Sequence, residues 1–78
     1  MNVIIYTTPI CVFCKMAKQF FRDNNVEFTE IDVAEDEVAR EKMFESSGQM
    51  GVPVIDIDGK IVVGFNRPKL AELLNLHA

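Results

Sequence analysis

Several residue types are scarce in this sequence, and each shortage argues against a class of protein. The 78 residues include no tryptophan, one histidine and only two cysteines. Two cysteines cannot supply the several disulfide bonds that stabilise most small secreted domains. Basic residues are also few, since eight lysines and arginines against twelve acidic residues give a net charge of −4. An acidic domain binds phosphate backbones poorly, so we expect no nucleic-acid partner.

Long hydrophobic segments are missing as well. No apolar run approaches the roughly 20 residues that a membrane helix needs, and residues 1–6 lack the basic start and long apolar stretch of a signal peptide. We therefore expect a cytoplasmic protein without a membrane partner. The chain does contain 49% hydrophobic and 26% charged residues, a composition typical of a folded chain. We expect one domain over residues 1–78, and we expect it to be a monomer.

The hydrophobic periodicity predicts seven elements in the order β-α-β-α-β-β-α. Strands are predicted at residues 3–6, 27–33, 52–57 and 60–63, and helices at residues 12–24 and 34–47, with a last helix after Asn66. The Asp58-Gly59 pair supplies the positive φ angles of a type I′ turn between the last two strands. A βαβ crossover makes the first two strands parallel. The predicted fold is therefore α/β, a four-stranded mixed sheet with three helices.

Local signals define the helices more closely. One apolar face of the first helix is expected to comprise Phe13, Ala17, Phe20 and Phe21. Gly48 is a suitable C-terminal cap for the second helix. Asn66 can cap the third helix, with Pro68 tolerated in its first turn.

The two cysteines, Cys11 and Cys14, lie just after the first strand and open the first helix. The nucleophilic form of cysteine is the thiolate, and a free thiol with a pKa of about 8.5 is mostly protonated at neutral pH. A helix N-terminus stabilises the thiolate and lowers cysteine pKa values to roughly 3.5–7.5. Lys15 and Lys18 add positive charge nearby, both are expected to be solvated, and Lys15 is our candidate for stabilising the thiolate. We predict that Cys11 is the exposed attacking thiol and that Cys14 resolves the intermediate.

Other roles for the pair remain open at this point. Two buried cysteines can be purely structural, because free cysteine is often buried and inert. A structural zinc site needs four ligands, and beyond the two cysteines the sequence offers only His77, next to its end. An iron–sulfur cluster shared between two chains would overcome that shortage of ligands.

Three motifs together resemble the glutaredoxins, within the thioredoxin-fold superfamily, over nearly the whole chain. They are Cys11-Val12-Phe13-Cys14, Gly51-Val52-Pro53 and the Asp58-Gly59 hairpin. The resemblance implies a thioredoxin-like fold in which Pro53 is cis and faces the cysteines, and Val52 offers its backbone to an extended substrate. It also places Val12 and Phe13 among the substrate-binding residues. The alternative for Pro53 is the start of an edge strand, which proline also favours.

The sequence departs from the usual glutaredoxin pattern at three places. Val12-Phe13 replaces Pro-Tyr, Thr7-Thr8 replaces a basic residue before the first cysteine, and residues 64–67 replace a Gly-Gly-x-Asp stretch that binds glutathione. Residues 64–68 look more like the Gly-Phe-Arg-Pro stretch of the redoxins that serve ribonucleotide reductase, with Asn66 interrupting the match. Those redoxins take electrons from thioredoxin reductase.

The resemblance makes Phe65, Asn66 and Arg67 candidate substrate-binding residues. Phe65 either lines the site or packs beneath the last helix, and Arg67 is either an anion ligand or a solvated residue at a helix start.

We therefore predict a small dithiol–disulfide oxidoreductase that acts on protein disulfides or glutathione mixed disulfides and carries electrons to a reductase-type enzyme. The chemistry requires no metal or organic cofactor, with glutathione possible as the reductant. The electron donor is expected to be thioredoxin reductase or glutathione. The alternatives are an iron–sulfur cluster carrier and a non-catalytic protein-interaction module.

Overall fold

The computed structural model describes residues 1–76, so His77, the histidine considered as a zinc ligand, lies outside the described residues. Seven elements follow the predicted order. They are β1 (Val3–Thr7), α1 (Val12–Asp23), β2 (Thr29–Asp32), α2 (Glu37–Ser47), β3 (Val54–Ile57), β4 (Lys60–Val63) and α3 (Arg67–Leu73). No helix within residues 1–76 is long and apolar enough to cross a membrane.

The four strands form one mixed sheet in the order β2-β1-β3-β4. β1 pairs in parallel with β2 and antiparallel with β3, and β4 completes the antiparallel hairpin. This arrangement confirms the predicted sheet. β1 lies inside the sheet and has helices over both faces, which explains why residues 3–6 are all apolar or aromatic rather than alternating with polar residues.

Each face of the sheet carries its own hydrophobic cluster, because alternate residues of a strand point to opposite faces. Side chains of α1 and α3 cover one face, where the buried residues are Val3, Ile5, Ala17, Phe20, Phe21, Ile55, Ile57, Val62, Leu70 and Leu74. α2 covers the other face, where they are Tyr6, Val33, Ala39, Met43 and Val54. α1, which begins directly after Cys11, is therefore anchored in the hydrophobic core on this face of the sheet.

The turn and cap predictions are confirmed. Asp58 and Gly59 have φ angles of 51° and 89°, the two positive values of a type I′ turn. Gly48 ends α2 in the left-handed conformation. Asn66 caps α3 by accepting a hydrogen bond from the Lys69 N–H at 3.2 Å, with Pro68 in the first turn.

Some predicted boundaries are wrong. α2 begins at Glu37, not at residue 34, because Asp36 caps it by accepting the Ala39 N–H at 2.9 Å. β2 covers only Thr29–Asp32 of the predicted 27–33. Phe28 lies just before the strand and packs on Phe21, with the two ring centroids 5.3 Å apart. β3 begins at Val54, two residues later than predicted.

The expected apolar face of α1 is wrong at its first member. Phe13 is 58% exposed, whereas the buried residue of the first turn is Cys14, followed by Ala17, Phe20 and Phe21. The helical periodicity alone could not show that the sheet covers this face only from Cys14 onward.

Candidate functional site

The cysteine pair is built on the N-terminus of α1. Cys11 is the N-cap residue, in extended conformation, and its Sγ accepts a hydrogen bond from the backbone N–H of Cys14 at 3.0 Å. The Cα atoms lie 5.2 Å apart, and a disulfide joins the two sulfurs. The structure therefore describes the oxidised form of the pair.

The two cysteines differ in exposure as the sequence predicted. Cys14 is 1% exposed, while Cys11 is partly exposed. The backbone N–H of Cys11 donates to the carbonyl of Thr8 at 3.3 Å, which fixes the turn between β1 and α1. Cys11 is therefore the more accessible residue of the pair, and Cys14 is the buried one.

The charged residues beside the pair are arranged differently from the prediction. Lys15 is exposed, as expected. Lys18 is not solvated: its Nζ lies 2.8 Å from Glu30 Oε2, and its side chain is only 19% exposed. The buried Thr7 hydroxyl donates to the same Glu30 oxygen at 2.8 Å. The hydrogen bond from Lys18 is the main reason that the pKa of Glu30 lies below its ordinary value, and the bond from Thr7 lowers it further.

Glu30 is the charged residue that the sequence reasoning missed. It lies on β2, and its partner Lys18 is twelve residues earlier on α1. One feature of the sequence could have indicated this pairing. Glu30 lies in β2 on the face of the sheet that α1 covers, because α1 connects β1 to β2. The ion pair therefore joins α1, which begins at the cysteine pair, to the edge strand β2.

Four exposed apolar side chains lie next to Cys11 in sequence or on the first turns of α1. Ile10 is 90%, Val12 66%, Phe13 58% and Met16 45% exposed. Val12 and Phe13 are among the predicted substrate-binding residues, whereas Ile10 and Met16 are not. A group of large apolar side chains left in solvent marks an interaction surface.

The Val52–Pro53 bond is cis, which confirms that prediction. Pro53 is fully buried, and its carbonyl accepts the Gly64 N–H at 2.8 Å. Tyr6 pairs with Val54 in the antiparallel ladder, so the residues just before β3 lie at the same end of the sheet as the residues that follow β1. Direct contact between Pro53 and the cysteines stays a prediction. Within residues 1–76, no hydrogen bond engages the Val52 backbone.

The segment before α3 lies along α1. Phe65 packs its ring edge-on to Phe20, 6.0 Å between centroids, and joins the core on that face. The Arg67 guanidinium stacks 5.6 Å from the same Phe20 ring. Asn66 is occupied as the helix cap.

Phe65 and Arg67 also line a groove of about 240 Å³ together with Met16, Gln19, Phe20 and Asp23. Phe65 thus packs on the core, as one of its two predicted alternatives has it, and also lines this groove, which neither cysteine borders. Binding of substrate by Phe65, Asn66 or Arg67 stays a prediction.

Metal ligands are sparse in the part of the chain that the structure describes. No group of three or more histidine, cysteine or acidic side chains is close enough there to hold a metal ion.

The glutaredoxin family model matches residues 3–62. An uncharacterised glutaredoxin-like 8.6 kDa protein in the rubredoxin operon of Clostridium pasteurianum is 46% identical over 70 residues, covering 90% of this chain and 93% of that protein. Glutaredoxin 3 of Escherichia coli is 36% identical over 81% of this chain and 76% of its own. The glutaredoxin-like protein NrdH of Lactococcus lactis is 34% identical over 91% and 97%.

Solved structures give the same result for the fold. A mutant of a thioredoxin-like protein superposes with a TM-score of 0.92 at 36% identity, covering 97% of both chains. The glutaredoxin-like NrdH-redoxin of Escherichia coli superposes with a TM-score of 0.81 at 28% identity, covering 100% of this chain and 97% of its own. The fold is thus thioredoxin-like, with a cysteine pair at the start of its first helix. The chain belongs to the glutaredoxin family of thiol–disulfide oxidoreductases.

Proposed function

We propose that this protein reduces disulfides of proteins, or mixed disulfides with glutathione, with Cys11 as the attacking thiol and Cys14 as the resolving thiol. The observation that carries the assignment is the hydrogen bond from the Cys14 N–H to Cys11 Sγ. The first N–H groups of a helix have no acceptor within the helix, so they can stabilise negative charge on a sulfur that they face. The buried Cys14 has no comparable access to a large substrate.

The proposed reaction has two thiol–disulfide exchanges. The Cys11 thiolate attacks one sulfur of the substrate disulfide, a Cys11–substrate disulfide forms, and the other substrate sulfur leaves as a thiolate that takes a proton. Cys14, deprotonated, then attacks Cys11 Sγ, releases the second substrate thiolate and closes the Cys11–Cys14 disulfide. Two electrons pass to the substrate, and the oxidised state is the one described here. This sequence uses no metal or organic cofactor.

We further propose that a flavoprotein thioredoxin reductase, rather than glutathione, returns the two electrons. Glutathione has two carboxylates, which need positioned basic groups or close backbone approach. Thr7 and Thr8 stand where a basic residue is usual, Thr7 is bonded to Glu30 and Arg67 stacks on Phe20. The bulk of Phe65 opposes close backbone approach at residues 64–67.

One similar protein supports the same donor. The solved NrdH-redoxin of Escherichia coli, which is 28% identical to this chain, has a thioredoxin-like activity profile. We propose a monomer that works in the reducing cytoplasm on protein partners, with no role in nucleic-acid or membrane binding. An enzyme that must be re-reduced after each turnover is the expected recipient of its electrons.

The test supplies each donor system to the same protein. Reduction of insulin disulfides is followed with thioredoxin reductase and NADPH, and separately with glutathione, glutathione reductase and NADPH. We expect turnover with the first system to exceed the second, and no turnover in either for Cys11→Ser. Fast turnover with glutathione and none with thioredoxin reductase would show that thioredoxin reductase is not the electron donor. Activity that persists in Cys11→Ser would reject the assignment of the nucleophile.

A further inference from the structure

A second apolar feature lies outside the cysteine site, between α2 and the segment that leads to Pro53. Phe44 on α2 is 50% exposed, and Met50 is 52% exposed. Together with Arg40, Glu41 and Glu45 they line a groove of about 200 Å³, which we name the Phe44–Met50 groove. The two large apolar side chains are exposed although neither belongs to the motifs that identified the family.

The backbone that carries Met50 is held firmly. The Gln49 side chain accepts the Gly51 N–H at 2.6 Å and donates to the Gly51 carbonyl at 3.0 Å. The Ser47 hydroxyl donates to the Gln49 carbonyl at 2.9 Å. Met50 therefore has a fixed backbone beneath it, and the groove is preorganised on this side.

The groove lies close to the proposed substrate-binding strand. Met50 precedes Val52 by two residues, and two residues span at most about 7 Å. A peptide paired with the free backbone of Val52 would pass the groove within a few residues of its disulfide. Strand addition of this kind uses main-chain hydrogen bonds for affinity and side-chain pockets for specificity.

The charge around the groove selects what can enter it. Glu41 and Glu45 stand one helical turn apart, on either side of Phe44 in sequence, and neither takes part in a salt bridge within residues 1–76. Arg40 is turned to other partners, the Val33 carbonyl at 3.4 Å and Glu37 at 3.6 Å. The groove thus has apolar walls, and of its three charged lining residues Glu41 and Glu45 are carboxylates without a salt bridge in the described residues, while Arg40 is engaged elsewhere.

We propose that the Phe44–Met50 groove binds an apolar side chain flanked by lysine or arginine on the disulfide-bearing partner protein. The proposal rests on the proposed function, since it takes the partner to be bound at Cys11. The apolar side chain fills the space between Phe44 and Met50, and the flanking cations meet Glu41 and Glu45. The groove would then give a sequence preference to a site whose backbone contact at Val52 has none.

The test uses full-length reduced protein and synthetic peptides whose single cysteine is activated as a mixed disulfide with thionitrobenzoate. Attack by Cys11 on the peptide sulfur releases thionitrobenzoate, which is followed by its visible absorbance. One peptide series places leucine between two lysines at successive distances on either side of the cysteine. A second series replaces the lysines with glutamates, and a third replaces the leucine with serine.

We expect one spacing in the lysine series to react about tenfold faster than the matched glutamate or serine peptide, as a few surface charge pairs and one half-buried leucine allow. The Phe44→Ser/Met50→Ser variant should lose the advantage of leucine over serine. Its control is Val38→Ser, which removes an apolar side chain that is 76% exposed on the same helix. Equal leucine preference in Phe44→Ser/Met50→Ser and Val38→Ser would overturn the proposal.

The charge is tested separately, because a protein of net charge −4 attracts any basic peptide. Glu41→Gln/Glu45→Gln should reduce the lysine-to-glutamate rate ratio to about twofold, while Glu27→Gln/Glu35→Gln, with the same change in net charge, should retain most of it. An equal loss in both variants would overturn the proposal. A short peptide with neither leucine nor lysine reports on Cys11 alone. Its failure to react would reject the proposed function, whereas normal reaction without any sequence preference would reject only the groove.

Discussion

Replacing Glu30 by glutamine should change the dependence of stability on pH. Glu30 joins three elements, because its Oε2 accepts from Lys18 on α1 and from the Thr7 hydroxyl at the end of β1, both at 2.8 Å. Glutamine keeps an acceptor oxygen for Thr7 but loses the charge that faces Lys18. The Glu30 side chain is 39% exposed, so the Coulomb part is screened, and we expect a cost of about 0.5–1 kcal/mol at neutral pH.

The effect of pH follows from the direction of the pKa shift. The pKa of Glu30 in the folded protein lies below its ordinary value of 4.5. The pair therefore stabilises the fold fully above about pH 4.5, where the carboxylate is charged in both states. The contribution is lost as the pH falls through the folded pKa. Glu30→Gln removes it at every pH, so the stability difference between wild type and variant should shrink below pH 4.5.

Urea denaturation at a series of pH values measures this difference, with the midpoint and slope fitted separately. Lys18→Met is the second arm of a double-mutant cycle, which we expect to give a coupling of about 0.5–1 kcal/mol at pH 7 and almost none at the acid end. Glu72→Gln is a matched control, since Glu72 is 72% exposed and lies 4.0 Å from Lys69 within one helix. A Glu30→Gln difference that stayed constant down to acid pH would refute the reasoning.

Three further predictions concern the redox pair, a cap and a loop. Alkylation against pH should show Cys11 reacting well below pH 8.5, and Cys14→Ser should accumulate mixed disulfides; faster alkylation of Cys14 would reverse the two roles. Asp36→Ala should cost about 1 kcal/mol in urea denaturation through the lost helix cap, and an unchanged midpoint would contradict the cap. A Cβ on Gly51 would lie 2.8 Å from Oε1 at the flexible end of the Gln49 side chain, so Gly51→Ala should displace that side chain and cost about 0.5 kcal/mol in lost hydrogen bonds, and much less in Gln49→Ala. Additive costs would exclude the clash.

Much of the fold follows from local sequence signals. The Asp58-Gly59 turn, the Gly48 cap and the Asn66 cap each depend on residues within a few positions, and the sequence predicts all three correctly. Other errors lie where a distant neighbour decides. The start of α2 is a local error, because aspartate is a preferred N-cap residue and a poorer helix former than Ala34 and Glu35, so the capping preference identifies Asp36.

The residues of the site also differ in whether neighbouring positions in the sequence are enough to predict them. Cys11 and Cys14 are recognisable because strand, turn and helix are contiguous in sequence, and the helix N-terminus follows from them. Phe13 has the periodicity of a core residue but is exposed, because the first turn of α1 buries Cys14 instead, and periodicity does not show which of two adjacent residues the neighbouring elements cover. Glu30 could not be assigned from its own segment, since its partners Thr7 and Lys18 belong to two other elements.

The arrangement explains how so small a chain combines a reactive helix end with a stable fold. α1 needs an open first turn so that Cys11 can meet a large substrate, yet exposure of a helix end invites fraying. Cys14, Ala17 and Phe21 bury the opposite side of the helix from its first turn onward. Lys18 adds the bond to Glu30 about one turn after Cys14. The chemistry is therefore placed at the N-cap of α1, where Cys11 is partly exposed, while the buried side chains of the following turns and the Lys18–Glu30 pair hold the helix on the sheet.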